Sequence, residues 1–131
     1  MPYKTIISEE DLKNNIDNKD FIIFDSRCDI KDRGYGIDSY TEGHIPNSIF
    51  VDVDTDLASE KQPGTGRHPL PNVETFCDKL SHWGMDNNKQ AVIYDDAGGA
   101  FAGRMWWMLK WLGHENVAVL DGGLNSWVKN G

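Results

Sequence analysis

A tight turn from an apolar run into an apolar helix surrounds the residues most suited to chemistry. The segment 91–104 reads AVIYDDAGGAFAGR. A strand that turns into a helix N-terminus directs unpaired backbone N–H groups and the positive end of the helix dipole into one small volume. Such a volume attracts anions, and Asp95 holds the position where a nucleophile would sit. We predict an anion-binding or substrate-like loop formed by Asp95, Asp96, Ala97, Gly98, Gly99 and Ala100.

Two arginines extend this prediction to a second loop. Arg27 and Arg33 flank a long polar loop that follows the apolar run 21–24. Open α/β sheets bind ligands outside the carboxyl ends of their strands, where this loop would begin. Solvated surface arginines are the simpler alternative. Together with the Asp95 loop, we favour an anion-binding role for both side chains.

Other residue patterns fit known chemistry poorly. Asp52, Asp54 and Asp56 alternate as in a calcium loop, but the sixth and twelfth positions hold Leu57 and Pro63 instead of Gly and Glu. The spacing also fails for a phosphatase with an aspartate nucleophile, so we interpret the segment as an acidic turn that caps a helix. The four histidines lack ligand spacing, and we expect no metal site.

The two cysteines show neither metal-binding nor redox spacing. Cys77 lies on an apolar helical stripe with Val73, Phe76 and Leu80, which predicts a core position. Cys28 lies in a polar stretch, where an accessible thiol is possible and an inert loop cysteine is the favoured interpretation.

Strand and helix patterns alternate along the chain. Apolar runs predict strands at 5–7, 21–24, 49–51, 91–94 and 117–120, and periodicity predicts helices after Ser8 and at 73–83, 99–112 and 124–128. Residues 28–43 and 59–71 are predicted to be irregular. Short strands that alternate with helices indicate an α/β fold with a parallel sheet and helices on both faces.

The helix predicted at 99–112 is apolar on almost every side. Trp107 and Trp111 are spaced i, i+4 on a face that cannot also pack on the sheet. Two interpretations stay open. Either a second domain or subunit covers this face, or the neighbouring helix and long loop do so.

Size and charge exclude several classes of protein. The 131 residues suffice for a single domain, 1–131, and the net charge of −8 argues against a nucleic-acid partner. No apolar run reaches the ~18 residues needed to span a membrane. The first residues lack the features of a signal peptide, so we expect a cytoplasmic protein without membrane partners.

The motifs together resemble the rhodanese family, more specifically the N-terminal domain of two-domain thiosulfate and 3-mercaptopyruvate sulfurtransferases. The resemblance rests on six segments: DSR at 25–27, YTEGHIP at 40–46, GRHPLP at 66–71, YDD at 94–96, WWM at 106–108 and LDGGLNSW at 120–127. It implies a five-stranded parallel sheet and no metal or organic cofactor. In catalytic members a cysteine at the first loop position carries sulfane sulfur as a persulfide.

Asp95 stands where that cysteine would be, and a carboxylate cannot carry sulfane sulfur. The resemblance therefore implies no catalytic residue in this chain, a missing C-terminal rhodanese domain packed against it, and a small anionic sulfur donor for the whole enzyme. Arg27 and Arg33 correspond to donor-binding arginines of the catalytic domain. Here they either keep that role or pair with Asp95, or with Asp38 and Glu42.

Two other functions stay open at this point. The chain could be a stand-alone rhodanese-like binding or regulatory module, with the Asp95 loop as its ligand or partner site. It could also be a distinct enzyme that uses Asp95 as nucleophile or base. The sequence disfavours this last function because it brings neither a general acid nor a metal site to Asp95.

Overall fold

The fold is built on a parallel sheet, seen in a computed structural model that describes residues 3–29, 32, 34–53, 56, 73–86 and 88–130. The five strands run in the order β1-β5-β4-β2-β3, and every neighbouring pair is parallel. The predicted α/β fold with a five-stranded parallel sheet is confirmed. The strands are β1 (Ile6–Ile7), β2 (Phe21–Asp25), β3 (Ser48–Phe50), β4 (Gln90–Tyr94) and β5 (Val117–Leu120).

Helices cover both faces of the sheet. Side chains of α3 and α4 pack with one set of strand residues, and side chains of α1 and α5 pack with the opposite set. Strands covered on both sides require continuous apolar runs, which explains why every residue of β4 is buried. The helices are α1 (Glu9–Asn14), α2 (Tyr35–Glu42), α3 (Val73–His82), α4 (Ala102–Trp111) and α5 (Gly123–Asn130).

The register of the two central strands places the loops that follow them next to each other. In the pairing of β2 with β4, Asp25 lies opposite Tyr94, at the carboxyl end of both strands. The loops that follow these two strands therefore leave the sheet side by side. They carry Arg27 and the predicted site residues of the loop that begins at Asp95.

Local signals for α1 and α3 are confirmed. The Ser8 hydroxyl oxygen accepts a hydrogen bond from the Asp11 amide at 3.1 Å and caps α1. Gly84 follows α3 with φ +91°, the left-handed conformation typical of a glycine that ends a helix.

The prediction that residues 28–43 form only a loop is wrong, because α2 occupies 35–42. Its buried contact is made by Gly36 and lacks the apolar stripe by which a helix is recognised in sequence. A Cβ at Gly36 would lie 2.3 Å from the Arg27 carbonyl oxygen and 3.0 Å from the Phe50 ring. The helix therefore rests on its backbone, a contact that leaves no hydrophobic pattern.

Two further predictions are corrected. Cys77 is exposed rather than in the core, because the contact of α3 with the sheet buries Phe76 and Leu80 and does not extend to Cys77. The helix predicted from Gly99 begins at Ala102, because Gly98 and Gly99 have positive φ angles of 70° and 94°.

Of the three alternating aspartates at 52–56, the structure describes Asp52 and Asp56. Asp56 accepts a hydrogen bond from the Asp52 amide at 2.9 Å and pairs with Lys79 of α3 at 2.9 Å. These contacts agree with an acidic turn. The predicted irregular segment 59–71 and any helix that this turn would cap lie outside the described residues.

Candidate functional site

The Asp95 side chain fills the amide-lined turn between β4 and α4. Its Oδ1 accepts hydrogen bonds from the amides of Ala97 at 3.0 Å and Gly99 at 2.9 Å. Its Oδ2 accepts from the amides of Phe101 and Ala102, both at 2.9 Å. The residue is 1% exposed. Four backbone amides of the turn therefore donate to the chain's own carboxylate, and binding of an external anion by this loop stays a prediction.

The backbone of Asp95 also fixes the start of α5. Its carbonyl oxygen accepts a hydrogen bond from the Leu124 amide at 3.0 Å. Gly123 packs so closely that a Cβ there would lie 2.6 Å from the same oxygen, and its φ is +61°. The Asp95 turn thus joins helices on opposite faces of the sheet.

A buried ion pair occupies the neighbouring strand end. Arg27 Nη2 donates to Asp25 Oδ2 at 2.7 Å, Nε donates to the same oxygen at 3.0 Å, and both residues are buried. Nη2 also donates to the Gly43 carbonyl oxygen at 2.7 Å, which ties the loop after α2 to the sheet. The pairing of Arg27 with Asp95 that the sequence left open is wrong. Residues two apart project to the same side of an extended chain, so Asp25 is the nearer carboxylate.

Tyr94 completes this network from β4. Its hydroxyl donates to Asp25 Oδ2 at 2.9 Å, accepts from the Ile45 amide at 3.2 Å and lies 3.0 Å from the Ser48 hydroxyl. Burial, and then the nearby charge of Asp25, raises the pKa of Tyr94 far above its ordinary value. The phenol is therefore a neutral donor that stabilises the Asp25 carboxylate.

Asp96 contacts α2 across the same edge. Its carboxylate accepts a hydrogen bond from the Tyr35 hydroxyl. This hydrogen bond, together with partial burial, raises the pKa of Tyr35. The contact holds the second residue of the loop against the helix that the sequence did not predict.

A cleft of about 480 Å³ opens between the C-terminal end of α2 and α5. It lies beside the Arg27–Gly43 contact and is distinct from the sealed Asp95 turn. Its lining is part apolar and part charged, with Arg27, Ser39, Glu42, Gly43, His44, Leu124, Trp127 and Val128.

The structure places the predicted loop residues together, places Arg27 next to them and does not describe Arg33. The loop Asp95, Asp96, Ala97, Gly98, Gly99 and Ala100 forms one turn, and Arg27 lies at the adjacent strand end. Arg33 lies outside the described residues, so anion binding by the two arginines stays a prediction. The predicted site residues do not include Asp25, Tyr94 or Tyr35. Asp25 and Tyr94 do lie in the DSR and YDD segments that carry the resemblance, and Asp25 is also an acid at the end of a buried strand.

The chemistry available at the turn is limited by its residues. The two cysteines, Cys28 and Cys77, lie outside it, and a carboxylate takes the first position. Within the described residues no three His, Cys, Asp or Glu side chains are grouped as metal ligands, and no helix has the length and apolar character to cross a membrane. The turn therefore supplies fixed amide donors without a sulfur nucleophile.

The chain matches one protein family and is similar in sequence to known sulfurtransferases. The rhodanese-like domain family matches residues 8–130. A probable 3-mercaptopyruvate sulfurtransferase of Pseudomonas aeruginosa is 41% identical over 124 residues, 93% of this chain and 44% of that protein. The 3-mercaptopyruvate sulfurtransferase of Escherichia coli K12 is 34% identical over 122 residues, 91% of this chain and 42% of that protein.

A solved structure agrees with these sequence relatives. The 3-mercaptopyruvate sulfurtransferase from Leishmania major matches with a TM-score of 0.90 and 31% identity over 98% of this chain and 35% of that one. The chain spans less than half the length of each of these three relatives. Since the family match covers almost every residue and the parallel sheet agrees with the solved structure, the chain belongs to the rhodanese-like domain family.

Proposed function

We propose that this chain is the non-catalytic N-terminal domain of a two-domain sulfurtransferase. The whole enzyme would move sulfane sulfur from thiosulfate or 3-mercaptopyruvate to cyanide or a thiol, through a cysteine persulfide in a second, C-terminal domain. The names of the relatives support this reaction class. Their length, more than twice that of this chain, supports a second domain.

The observation that carries the proposal is the state of the Asp95 turn. Sulfur transfer needs a thiolate that attacks the outer sulfur of a donor and keeps it as a persulfide. Here a carboxylate takes that position, and four backbone amides at 2.9–3.0 Å already bind it. A buried group with its hydrogen bonds satisfied is a stable part of the fold and a poor nucleophile.

The domain would then act by supporting its partner. The Asp95 turn links α4 to α5, and the Asp25, Arg27 and Tyr94 network fixes the adjacent loop. Both lie at the carboxyl edge of the sheet, where α/β proteins present functional loops. We propose that this rigid edge helps to shape the cleft in which the catalytic domain binds its small anionic donor. No metal or organic cofactor is part of this proposal, and a cytoplasmic location stays a prediction.

Activity measurements test the proposal directly. The purified 131-residue chain is incubated with cyanide and either thiosulfate or 3-mercaptopyruvate, and thiocyanate is measured. We expect no thiocyanate above the enzyme-free rate, with the full-length protein as the positive control. Turnover by the 131-residue chain that persists after Cys28→Ser and Cys77→Ser replacement would contradict our account of Asp95.

The length of the natural protein tests the second domain. We expect its intact mass in source cells to be roughly twice the 14.8 kDa of this chain, since a second domain of similar size is proposed. A mass near 14.8 kDa would exclude the two-domain enzyme and favour a stand-alone binding module.

A further inference from the structure

An open pocket of about 180 Å³ lies between the C-terminal ends of α3 and α4. Helix α4 leads out of the Asp95 turn at Ala102, and the pocket is lined by residues at the other end of this helix. Leu109, one of them, lies about 10 Å from Ala102 along the helix axis, at 1.5 Å per residue. The described lining residues belong neither to the Asp95 turn nor to the network around Asp25, so the pocket is a separate feature.

Helix α3 ends in a Schellman motif that forms one wall of the pocket. Gly84 has φ +91°, and the Met85 amide donates to the Leu80 carbonyl oxygen at 2.9 Å. In this motif the residue after the glycine usually makes an apolar contact with the residue whose carbonyl it bonds. Met85 and Leu80 are both apolar and both line the pocket, so this wall follows the usual pattern.

Helix α4 ends in the same motif, with a polar residue at one position. Gly113 has φ +90°, and the His114 amide donates to the Leu109 carbonyl oxygen at 2.9 Å. His114 therefore occupies the position where the motif favours an apolar side chain. Its Nε2 lies 2.9 Å from the Lys89 carbonyl oxygen, which ties the ring to the turn before β4. The second wall is thus fixed by a polar contact, and Leu109 still lines the open pocket.

Side chains from the core give the pocket an apolar surface. Leu80 and Leu109 belong to the core, and Met85 and Leu112 pack against it. Water beside these four side chains finds few hydrogen-bond partners, whereas an ordered water in a protein usually makes about three hydrogen bonds. The apolar part of a ligand would displace this water with a gain in free energy.

The polar lining residues supply hydrogen-bond acceptors rather than an excess of charge. The Asp86 carboxylate and the Ser81 hydroxyl can both accept. A carbonyl oxygen only accepts, so His114 Nε2 carries the hydrogen that it shares with Lys89, and Nδ1 of the neutral ring is an acceptor. Lys89 lies in the same turn as Asp86 and offsets its charge, with Nζ donating to the Gly84 carbonyl oxygen at 2.6 Å. A neutral ligand with a hydroxyl donor therefore matches this pocket better than an ion does.

The volume sets the size of the ligand. Drug-sized molecules occupy pockets of roughly 300–1,000 Å³, whereas an apolar cavity of about 150 Å³ binds benzene. At about 180 Å³ this pocket fits one ring with one small substituent. The thioether of Met85 favours an aromatic ring, because sulfur makes favourable contacts with ring edges.

We infer that the pocket between α3 and α4 binds a neutral aromatic molecule with a single ring and one hydroxyl group, of the size of phenol. The ring lies against Leu80, Leu109 and Met85, and the hydroxyl donates to an acceptor among the polar lining residues. The inference goes beyond the proposed function and does not rest on it, because the pocket shares no described residue with the Asp95 turn.

Amide NMR spectra of the 131-residue chain during a titration with phenol test the inference without any substitution. We expect saturable shifts centred on the amides of Met85, Asp86 and His114, with a dissociation constant of roughly 1 mM for so small a ligand. Shifts that stay linear up to the solubility limit of phenol overturn the inference. Saturable shifts centred on the cleft between α2 and α5 also overturn it.

Charged probes of similar size test the ligand class. Benzoate and benzylammonium are titrated in the same way as phenol. We expect each ion to bind at least about tenfold more weakly than phenol, because an ion loses hydration when it enters an apolar pocket. Binding of either ion as tight as that of phenol overturns the assignment of a neutral ligand.

A pair of substitutions on α3 tests the location. Ser81→Phe adds a ring at a lining residue, and His82→Phe adds the same ring at the next residue, which is not among the described lining residues. We expect Ser81→Phe to weaken phenol binding at least about tenfold, because the added ring fills part of a pocket that holds only one. His82→Phe should bind as the wild type does. Unchanged binding by a Ser81→Phe variant with wild-type circular dichroism overturns the inference, and the wild-type titration decides if this variant does not fold.

The pocket and the proposed function fail in different experiments. If phenol does not bind, the pocket assignment is wrong and the account of Asp95 stands. If the 131-residue chain forms thiocyanate without its cysteines, the account of Asp95 is wrong and the pocket assignment stands.

Discussion

Among single residues, Asp95 is bound by four backbone amides of its own turn. Each of its oxygens accepts two backbone hydrogen bonds, and the side chain is 1% exposed. The amides of Ala97, Gly99, Phe101 and Ala102 would otherwise be donors without partners at the start of a helix. The carboxylate therefore replaces the external anion that such a turn would attract.

Removing this carboxylate should destabilise the domain. We expect Asp95→Ala to lower the free energy of unfolding by about 2–4 kcal/mol, because it leaves several buried amides without acceptors. Urea unfolding at pH 7 measures the change, and the exposed Asp121→Ala is the matched control, expected to stay within about 0.5 kcal/mol. If Asp95→Ala lowers the free energy of unfolding as little as Asp121→Ala does, the four amides do not depend on the Asp95 carboxylate for their hydrogen bonds.

Tyr94 gives the domain a defined response to alkaline pH. Below its ordinary pKa of about 10 the phenol is neutral whether the chain is folded or unfolded. Because burial and then the Asp25 charge raise its pKa in the folded state, the unfolded chain ionises first as the pH rises above 10. The stability contributed by Tyr94 is thus complete below pH 10 and is lost above it.

Tyr94→Phe should therefore have opposite effects in two ranges of pH. At pH 7 we expect a loss of about 1–3 kcal/mol, because Asp25 and the Ile45 amide lose a partner. From pH 10 to 11 the free energy of unfolding should decrease in both proteins, and we expect the decrease to be about 1 kcal/mol smaller in Tyr94→Phe than in the wild type. Urea unfolding across this range measures both. Burial also raises the pKa of Tyr40, but Tyr40 is less buried, so Tyr40→Phe should differ from the wild type by less than Tyr94→Phe does. Parallel curves for wild type and Tyr94→Phe would disprove the assignment.

At the scale of elements, the contact between the Asp95 turn and α5 is made through backbone atoms. Gly123 has φ +61°, and the space for a Cβ is taken by the Asp95 carbonyl oxygen at 2.6 Å. By contrast, Gly103 in α4 has no such neighbour within 4 Å and no positive φ. The two glycines form a natural pair for testing how α5 is placed.

We expect Gly123→Ala to destabilise the domain by about 2 kcal/mol or more, because an alanine there is strained and collides with the turn. Gly103→Ala should be neutral or stabilise by up to about 1 kcal/mol, since alanine is the better helix former. Thermal unfolding of both variants measures the difference. Similar melting temperatures for the two would show that α5 is free to move away from the turn.

Helix α2 illustrates a different kind of element. It is held by Gly36 against the Arg27 carbonyl oxygen and by the hydrogen bond from Tyr35 to Asp96. Neither contact appears as a hydrophobic repeat, which is the main signal by which helices are recognised in a sequence. These two contacts connect α2 to the neighbouring strand end and loop, which are distant in sequence.

For the molecule as a whole, the negative net charge and the Asp95 carboxylate in the turn both disfavour the binding of an external anion. The net charge is −8, Asp95 already binds the loop amides, and Arg27 is paired with Asp25. The sequence predicts an anion-binding role for Arg27 and Arg33. The contacts of Arg27 point instead to a guanidinium that is already neutralised.

We therefore expect thiosulfate to raise the melting temperature of the 131-residue chain no more than sulfate does at the same concentration. A ligand that binds the folded state stabilises it in a saturable way, whereas salt effects do not saturate. Differential scanning fluorimetry over a range of both anions measures this. Saturable stabilisation by thiosulfate that disappears in Arg33→Ala would instead establish the anion site predicted from the sequence.

Much of the fold could be predicted, and the failures have clear causes. The runs that form β2, β4 and β5 are continuous and apolar, so their buried parallel arrangement was recognisable. The sequence predicts a core position for Cys77 because it lies on a helical stripe, yet of that stripe only Phe76 and Leu80 are buried. Sequence periodicity identifies the apolar face of a helix. Which residues at the margin of that face are buried depends on the surface against which the helix packs.

The fold class, the family resemblance and the aspartate at the first position of the loop after β4 can be recognised from the sequence without a structure. These features follow from residue identity, short-range spacing and apolar runs, which are local. Three further features are visible only in the folded chain: four amides converge on the Asp95 carboxylate, Arg27 pairs with Asp25 next to Tyr94, and Trp107 and Trp111 stay exposed. Each of these depends on distances of a few ångströms between segments whose relative positions are set by sheet register and helix packing.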